Sequence, residues 1–136
     1  MKTKRLIPAI LVTFLFLVAY EWGFHGVFLK SLYETTPQLW RPQAIMPQYL
    51  PYLFAGQFFM AVFLGLVFSK GYENRGIGEG IRFGLLIGLL FAAGHLMWYA
   101  VQPVPALLVL SWIIGGTLEM ILAGILLAAI CRPKAA

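Results

Sequence analysis

The chain has 136 residues, of which 61% are hydrophobic and 11% are charged. Soluble domains carry about 25% charged residues, so this composition excludes an ordinary soluble domain and indicates a protein solvated by lipid. The length suits one domain over residues 1–136, and the formal net charge of +5 is explained below by membrane topology.

Four apolar segments follow one another along the chain, at residues 6–26, 52–69, 81–101 and 106–130. Each is close to the roughly 17–25 residues that a helix needs to cross the hydrocarbon core of a bilayer. None shows the alternation of polar and apolar residues that is typical of a β-barrel strand. The sequence therefore predicts an all-α membrane protein with four transmembrane helices in an antiparallel bundle.

The basic residues fall unevenly on the two sides of a chain that crosses four times. Lys30 and Arg41 lie on one side, and the remaining eight of the ten Lys and Arg lie on the side of the termini. By the positive-inside rule, both termini are expected in the cytoplasm, with an external loop over residues 27–50. Topology thus accounts for the charge, and no nucleic-acid partner is expected. The eight are Lys2, Lys4, Arg5, Lys70, Arg75, Arg82, Arg132 and Lys134.

Prolines punctuate the predicted helices. Pro8 is expected in the first turn of the first helix, where its missing N–H costs little, and Pro51 is expected to open the second helix. Pro103 and Pro105 bracket a very short turn, which makes the third and fourth helices neighbours. Pro133 is expected to end the last helix. A secretory signal is a weaker interpretation of the first segment, because no cleavage site of small residues follows it.

The external loop is rich in proline and aromatic residues, a composition typical of the headgroup layer. Thr36 and Pro37 predict the start of a short helix that Pro42 ends. Two interpretations stay open for this loop, a connector on the membrane surface and a lid over the mouth of the bundle. The neighbouring aromatic residues Trp98, Tyr99 and Trp112 are expected to belong to the interfacial belt or to fill the bundle.

The stretch from Glu21 to Pro42, EWGFHGVFLKSLYETTPQLWRP, resembles the first-helix-and-loop region of small uncharacterised bacterial inner-membrane proteins with four predicted helices. The resemblance implies a multi-pass location in a bacterial inner membrane. It implies no activity.

Each predicted helix places one polar side chain at a similar depth in the bilayer. A rise of about 1.5 Å per residue puts Glu119 about 16 Å and His95 about 21 Å above the cytoplasmic ends of their helices. The same count gives about 18 Å for Gln57 and about 22 Å for Glu21. His25 follows Glu21 by one helical turn. These five residues are the candidates for binding a proton or a ligand.

Small residues flank two of these positions and predict that they face into the bundle. Glycine or alanine occupies the positions three, seven and eleven residues before His95, and four residues to either side of Glu119. Such spacing lets helix backbones approach closely, and the third helix is expected to contact the fourth through Gly115 or Gly116. The predicted packing residues are Gly84, Gly88, Ala92, Gly115, Gly116 and Ala123.

An ionisable residue near the bilayer centre is costly unless it is paired or neutralised, so Glu119 is a functional candidate by default. The structural alternative is that the polar layer consists of interhelical hydrogen bonds that hold the bundle together. The first functional hypothesis is a non-enzymatic accessory or assembly subunit of a larger membrane complex, in contact with lipid and with other subunits or copies of itself. The second is a transporter or binding protein for a proton, a metal ion or a small ligand.

No cofactor is predicted, although two alternatives stay open. The groups of His95, Glu119 and Glu21 would suit a divalent metal, but they lack a recognised ligand spacing. Haem held by two histidines would have to use His25 and His95, the only two in the chain, at depths that differ by about 7 Å. The single Cys131 excludes an internal disulfide and a cysteine-clustered metal site, and it is expected to be a small residue at the membrane edge.

Overall fold

The computed structural model describes residues 3–132, so Lys2, Pro133 and Lys134 lie outside the described residues. A long helix α1 (Thr3–Gly23) leads through a connection containing the short α2 (Lys30–Glu34) to α3 (Leu50–Lys70). Two more long helices, α4 (Ile77–Val101) and α5 (Ala106–Cys131), complete the bundle, and residues 3–132 contain no strand. Four helices are long and apolar enough to cross a membrane. The prediction of an all-helical, multi-pass architecture is confirmed at this level.

Three helices begin earlier than hydropathy predicted, and α3 does so by two residues, at Leu50 rather than at residue 52. Helix α1 begins at Thr3 rather than at residue 6, and α4 begins at Ile77 rather than at residue 81. Pro8 therefore lies inside α1 and not in its first turn, so that prediction was wrong. The reason is that helical hydrogen bonds continue through polar residues, which a hydropathy pattern excludes from the span. Pro8 leaves one backbone carbonyl of the preceding turn without its usual partner.

The start of α4 is set by a buried carboxylate. Asn74 and Gly76 adopt positive φ angles of 60° and 74°, which turn the chain into the helix. The buried Glu79 then accepts hydrogen bonds from the backbone N–H groups of Glu73, at 2.6 Å, and Arg75, at 2.8 Å. An acid in the first helical turn also interacts favourably with the helix dipole. These contacts extend α4 by one polar turn that precedes its apolar segment.

Helix α4 packs most closely on α5, through the glycine face that the sequence singled out. A Cβ atom on Gly84 would overlap the backbone carbonyl of Met120, and one on Gly88 would meet the backbone of Thr117. Ala92, one turn further along α4, is also buried. The backbones of α4 and α5 therefore approach as closely as they do only because these positions lack bulky side chains.

The expected contact through Gly115 or Gly116 was wrong. Gly115 faces α1, where a Cβ would overlap the ring of Phe24, and its carbonyl accepts a hydrogen bond from the Tyr20 hydroxyl at 2.8 Å. Gly116 has no atom within 4 Å of its Cβ position. The glycine face of α4 instead contacts the turns of α5 that contain Thr117 and Met120. Helix α5 is rotated about its axis so that Gly115 faces α1.

Two apolar clusters hold the remaining elements. The first joins α1, α3 and α5, and includes the buried residues Leu17, Ala61, Phe68, Ala123 and Cys131. The second packs the connection between α1 and α3 onto the start of α5. Cys131, the last residue of α5, is buried in the first cluster. The connection is therefore a docked segment and not a loose loop.

The docked connection contains two 3₁₀ helices, Pro37–Leu39 and Gln43–Gln48. The first begins at Pro37 and ends before Pro42, as the prolines predicted. Thr36 occupies the N-cap position but makes no capping hydrogen bond, because its Oγ1 accepts from Trp40 Nε1 at 3.3 Å.

The glycine contact predicts a position-specific loss of stability. Gly84→Ala adds one methyl group that must push α4 away from the Met120 carbonyl, and it should lower the free energy of unfolding by about 1–3 kcal/mol. Gly78→Ala adds the same group to the same helix where nothing lies within 4 Å, and it should not destabilise. Thermal melting of the purified proteins in one detergent checks this. Equal melting temperatures for the two variants would contradict the close contact.

Candidate functional site

A cavity of about 600 Å³ lies between α1, α3, α4, α5 and the connection after α1. Its ionisable lining comprises Glu21, His25, His95 and Glu119. Three separate elements of the bundle therefore bring together four of the five polar residues that the sequence singled out. The remaining lining residues are Tyr33, Met60, Leu90, Phe91, Gly94, Trp98, Trp112, Gly116 and Met120.

Gln57 is the predicted residue that this cavity does not include. It is buried within the bundle on α3, and its Oε1 has no hydrogen-bond partner among the described residues. The count along the helix axis gave its depth, but depth does not determine the rotation of a side chain about that axis. Gln57 is therefore not part of the candidate site.

His25 sits in a π-helical turn, Phe24–Phe28, that continues α1. The sequence predicted ordinary α-helix up to residue 26. The wider turn is closed by a hydrogen bond of 2.8 Å from the backbone N–H of Leu29 to the Phe24 carbonyl. Turns of this kind appear often at functional sites, because the extra residue changes the direction in which the side chains project. Here the turn carries one cavity residue, His25, and the ring that packs on Gly115, Phe24.

A chain of polar contacts links four residues of the cavity. Trp112 Nε1 donates to the Tyr33 hydroxyl at 2.8 Å, and that hydroxyl lies 2.5 Å from His25 Nδ1. An indole N–H is only a donor, so the Tyr33 oxygen accepts in the contact with Trp112. The other ring nitrogen of His25, Nε2, lies 3.5 Å from a Glu21 carboxylate oxygen. The contacts thus run from Trp112 through Tyr33 and His25 to Glu21.

The Tyr33 hydroxyl holds its proton more tightly than a free phenol. Burial raises the pKa of Tyr33 to about 12, while the hydrogen bond from Trp112 lowers it and the negative charge of Glu21 raises it. The hydroxyl therefore keeps its proton at neutral pH. It is available to donate to His25.

Glu119 has one carboxyl oxygen without a partner. The residue is 4% exposed, and its Oε1 has no hydrogen-bond partner among residues 3–132. Glu21 is its neighbour in the cavity, and the two side chains interact by charge and by a hydrogen bond. A buried polar atom without a partner is costly, and native structures contain few of them. This atom therefore marks a position where a bound group would find an acceptor or a donor.

Aromatic rings form one wall of the cavity around Trp112. Its ring centroid lies 5.6 Å from that of His95 and 5.7 Å from that of Trp98. Trp112 is buried, which agrees with the second of its two expected roles, filling the bundle. A signal for it was present, because Trp112 precedes Glu119 by seven residues and so shares its helix face. No comparable signal existed for Tyr33, which reaches the site only because the connection docks on α5.

The electrostatic character of the cavity is set by acids and imidazoles. No Lys or Arg belongs to its lining. The described residues also contain no group of three His, Cys, Asp or Glu that could hold a metal ion. Both ring nitrogens of His25 face protein partners, Tyr33 and Glu21. The divalent-metal alternative and the alternative of haem held by two histidines stay untested hypotheses.

Comparisons of the chain with protein-family models, with curated proteins and with solved structures gave no match.

The polar chain predicts that one hydroxyl group stabilises the docked connection. Tyr33→Phe leaves Trp112 Nε1 and His25 Nδ1 without partners, which should lower the free energy of unfolding by about 1–3 kcal/mol. Tyr52→Phe removes the same atom from an exposed ring and should change little. The melting temperatures of the two variants decide this, and an unchanged value for Tyr33→Phe would exclude the chain.

The same tyrosine predicts a dependence of stability on alkaline pH. Its pKa is raised on folding from 10.0 to about 12, so the folded state holds this proton more tightly. The resulting stabilisation is fully present below pH 10 and declines as the pH rises towards 12. Melting curves should therefore fall more steeply over this range for the wild type than for Tyr33→Phe. Parallel curves would contradict the assignment.

Proposed function

We propose that this chain is a non-enzymatic membrane protein that binds a small ligand in a cavity within its bundle. The observation that carries the proposal is that Glu21, His25, His95 and Glu119 line one cavity of about 600 Å³. Small-molecule sites have volumes of about 300–1,000 Å³, a mostly apolar lining and a few convergent polar groups. The residues around this cavity fit that description.

The buried acid strengthens the proposal. If Glu119 only held the helices together, both oxygens of its carboxyl group would be expected to have partners, because an unpaired polar atom in lipid costs several kcal/mol. Glu119 Oε1 has no such partner among the described residues. A ligand that hydrogen-bonds this oxygen would offset the cost. A transported proton would use the same groups.

The accessory-subunit hypothesis rests on different features. Large apolar side chains cover the outside of the bundle, and these side chains would pack equally well against lipid or against a partner subunit. The hypothesis does not account for the ionisable cavity. For this reason we place it second.

We further propose that the helices are antiparallel, with both termini in the cytoplasm of a bacterial inner membrane. Arg5 Nη1 donates a hydrogen bond to the Arg132 carbonyl, which brings the first and last helices together at their terminal ends. On α4, Gly84 lies opposite Met120 and Gly88 lies opposite Thr117, which supports opposite directions for α4 and α5. The unequal distribution of basic residues supports the cytoplasmic side. The bacterial location rests on the resemblance at residues 21–42.

The topology predicts which loops are accessible from outside. In a Cys131→Ala background, single cysteines at Ser31 and Asn74 both occupy exposed positions. A membrane-impermeant maleimide added to intact cells should label the variant at Ser31 and should label the one at Asn74 only after lysis. Labelling of intact cells at Asn74 alone would invert the assignment.

Native mass spectrometry of protein purified from its own membranes tests the binding function. The wild type should retain a small molecule. Gly116→Leu should lose it, because the new side chain grows into open cavity space. Glu119→Gln should also lose it while keeping the fold, because the amide preserves polarity but has no titratable proton. Gly56→Leu is the matched control, since Gly56 lies on α3 outside the cavity lining with nothing within 4 Å.

Identical spectra for all four proteins would reject the binding function. A larger complex that survives purification and is unaffected by Gly116→Leu would instead favour the accessory subunit. If the polar layer serves only for packing, Glu119→Gln should be nearly silent and Glu119→Leu should destabilise the fold.

A further inference from the structure

A second, wholly apolar cavity of about 310 Å³ adjoins the polar one. Its lining comes from α3 and α4 and consists of Met60, Phe63, Leu64, Val67, Ile87 and Phe91. Met60 and Phe91 also line the polar cavity. The two spaces therefore share a boundary, with ionisable groups at one end and only hydrocarbon and aromatic surface at the other. We call the second space the α3–α4 groove.

The groove results from how the four long helices pair. Helix α3 packs mainly on α1, while α4 packs mainly on α5. Between α3 and α4, bulky side chains stand where the α4–α5 contact has glycines. Phe63 is 61% exposed and Val67 is 54% exposed, so the groove opens on the outer surface of the bundle. In a membrane, that surface faces lipid.

The polar cavity favours a positively charged group. Its lining contains two carboxyl groups and no Lys or Arg, so an anion would find no fixed positive charge. The unpartnered Glu119 Oε1 can accept a hydrogen bond. Trp98 and Trp112 line the same space, and indole rings attract cations. A protonated amine supplies both the hydrogen-bond donor and the charge.

We propose, on the basis of the binding function above, that the ligand is an amphiphilic alkylamine that enters from the lipid. Its ammonium head lies in the polar cavity, beside Glu119 and Glu21, and its hydrocarbon tail lies in the α3–α4 groove. During entry the tail moves from the lipid chains into the groove and stays in apolar surroundings. Only the ammonium head changes its surroundings, from the headgroup layer to the cavity, and the two acids offset the desolvation of its charge.

Photo-crosslinking in lipid vesicles tests the placement of head and tail separately. The probes are dodecylamine and dodecanol with a diazirine at the tail end, and butylamine with the same group. Specific labelling is the part that an excess of unlabelled dodecylamine removes, and peptide mass spectrometry locates it. The dodecylamine probe should label Phe63, Val67 or Ile87 specifically. Dodecanol should label lipid-facing residues without competition.

Variants separate the two ends of the ligand. Glu119→Gln should remove the specific labelling by dodecylamine, while Glu34→Gln, at an exposed acid in the connection, should leave it unchanged. Val67→Trp should block the groove and remove dodecylamine labelling, but it should leave cavity labelling by butylamine intact. Val12→Trp is the control for bulk on a lipid-facing surface, since Val12 is 41% exposed on α1 and lines neither space.

The outcomes distinguish this inference from the proposed function. If butylamine labels the cavity specifically but the dodecylamine tail labels all lipid-facing surfaces equally, the tail site is wrong and the binding function stands. If dodecanol competes as well as dodecylamine, the preference for a cation is wrong. If no amine gives specific labelling and native mass spectrometry finds no bound molecule, both proposals fall.

Discussion

The close approach of α4 to α5 is the contact on which the rest of the architecture depends. In lipid, helices gain little from hiding apolar surface, so association relies on van der Waals contact and interhelical hydrogen bonds. Gly84 and Gly88 provide this contact because they let α4 rest directly on the backbone of α5. The same packing holds His95 against the ring of Trp112. One wall of the candidate site is therefore a consequence of the glycine face.

The pairing of α4 with α5 also explains why the bundle is open on one side. Helix α4 makes its close contacts with α5, and α3 makes its own contacts with α1. Bulky residues such as Phe63 and Ile87 then stand on either side of the gap. The polar cavity and the α3–α4 groove are the two parts of the space that remains. The opening between α3 and α4 thus follows from how the helices pack, and it does not require a moving lid.

The connection after α1 contributes the second constraint. Trp112 donates to the Tyr33 hydroxyl, that hydroxyl contacts His25 Nδ1, and His25 Nε2 lies beside Glu21. The connection therefore covers the cavity and orients its histidine at the same time. The connection packs on the start of α5 and supplies part of the cavity lining. Glu119 keeps one oxygen, Oε1, without a partner among the described residues.

The sequence by itself determined the features that depend on position along a helix axis. Spans follow from length and apolarity, because lipid requires every backbone group to be bonded within the helix. Depth follows from the rise per residue, and it placed Glu119 and His95 in one layer. Rotation about the axis and the path of a loop depend on contacts between distant residues, which no local pattern contains. For that reason only the tertiary structure excluded Gln57, recruited Tyr33 and turned Gly115 towards α1 rather than α4.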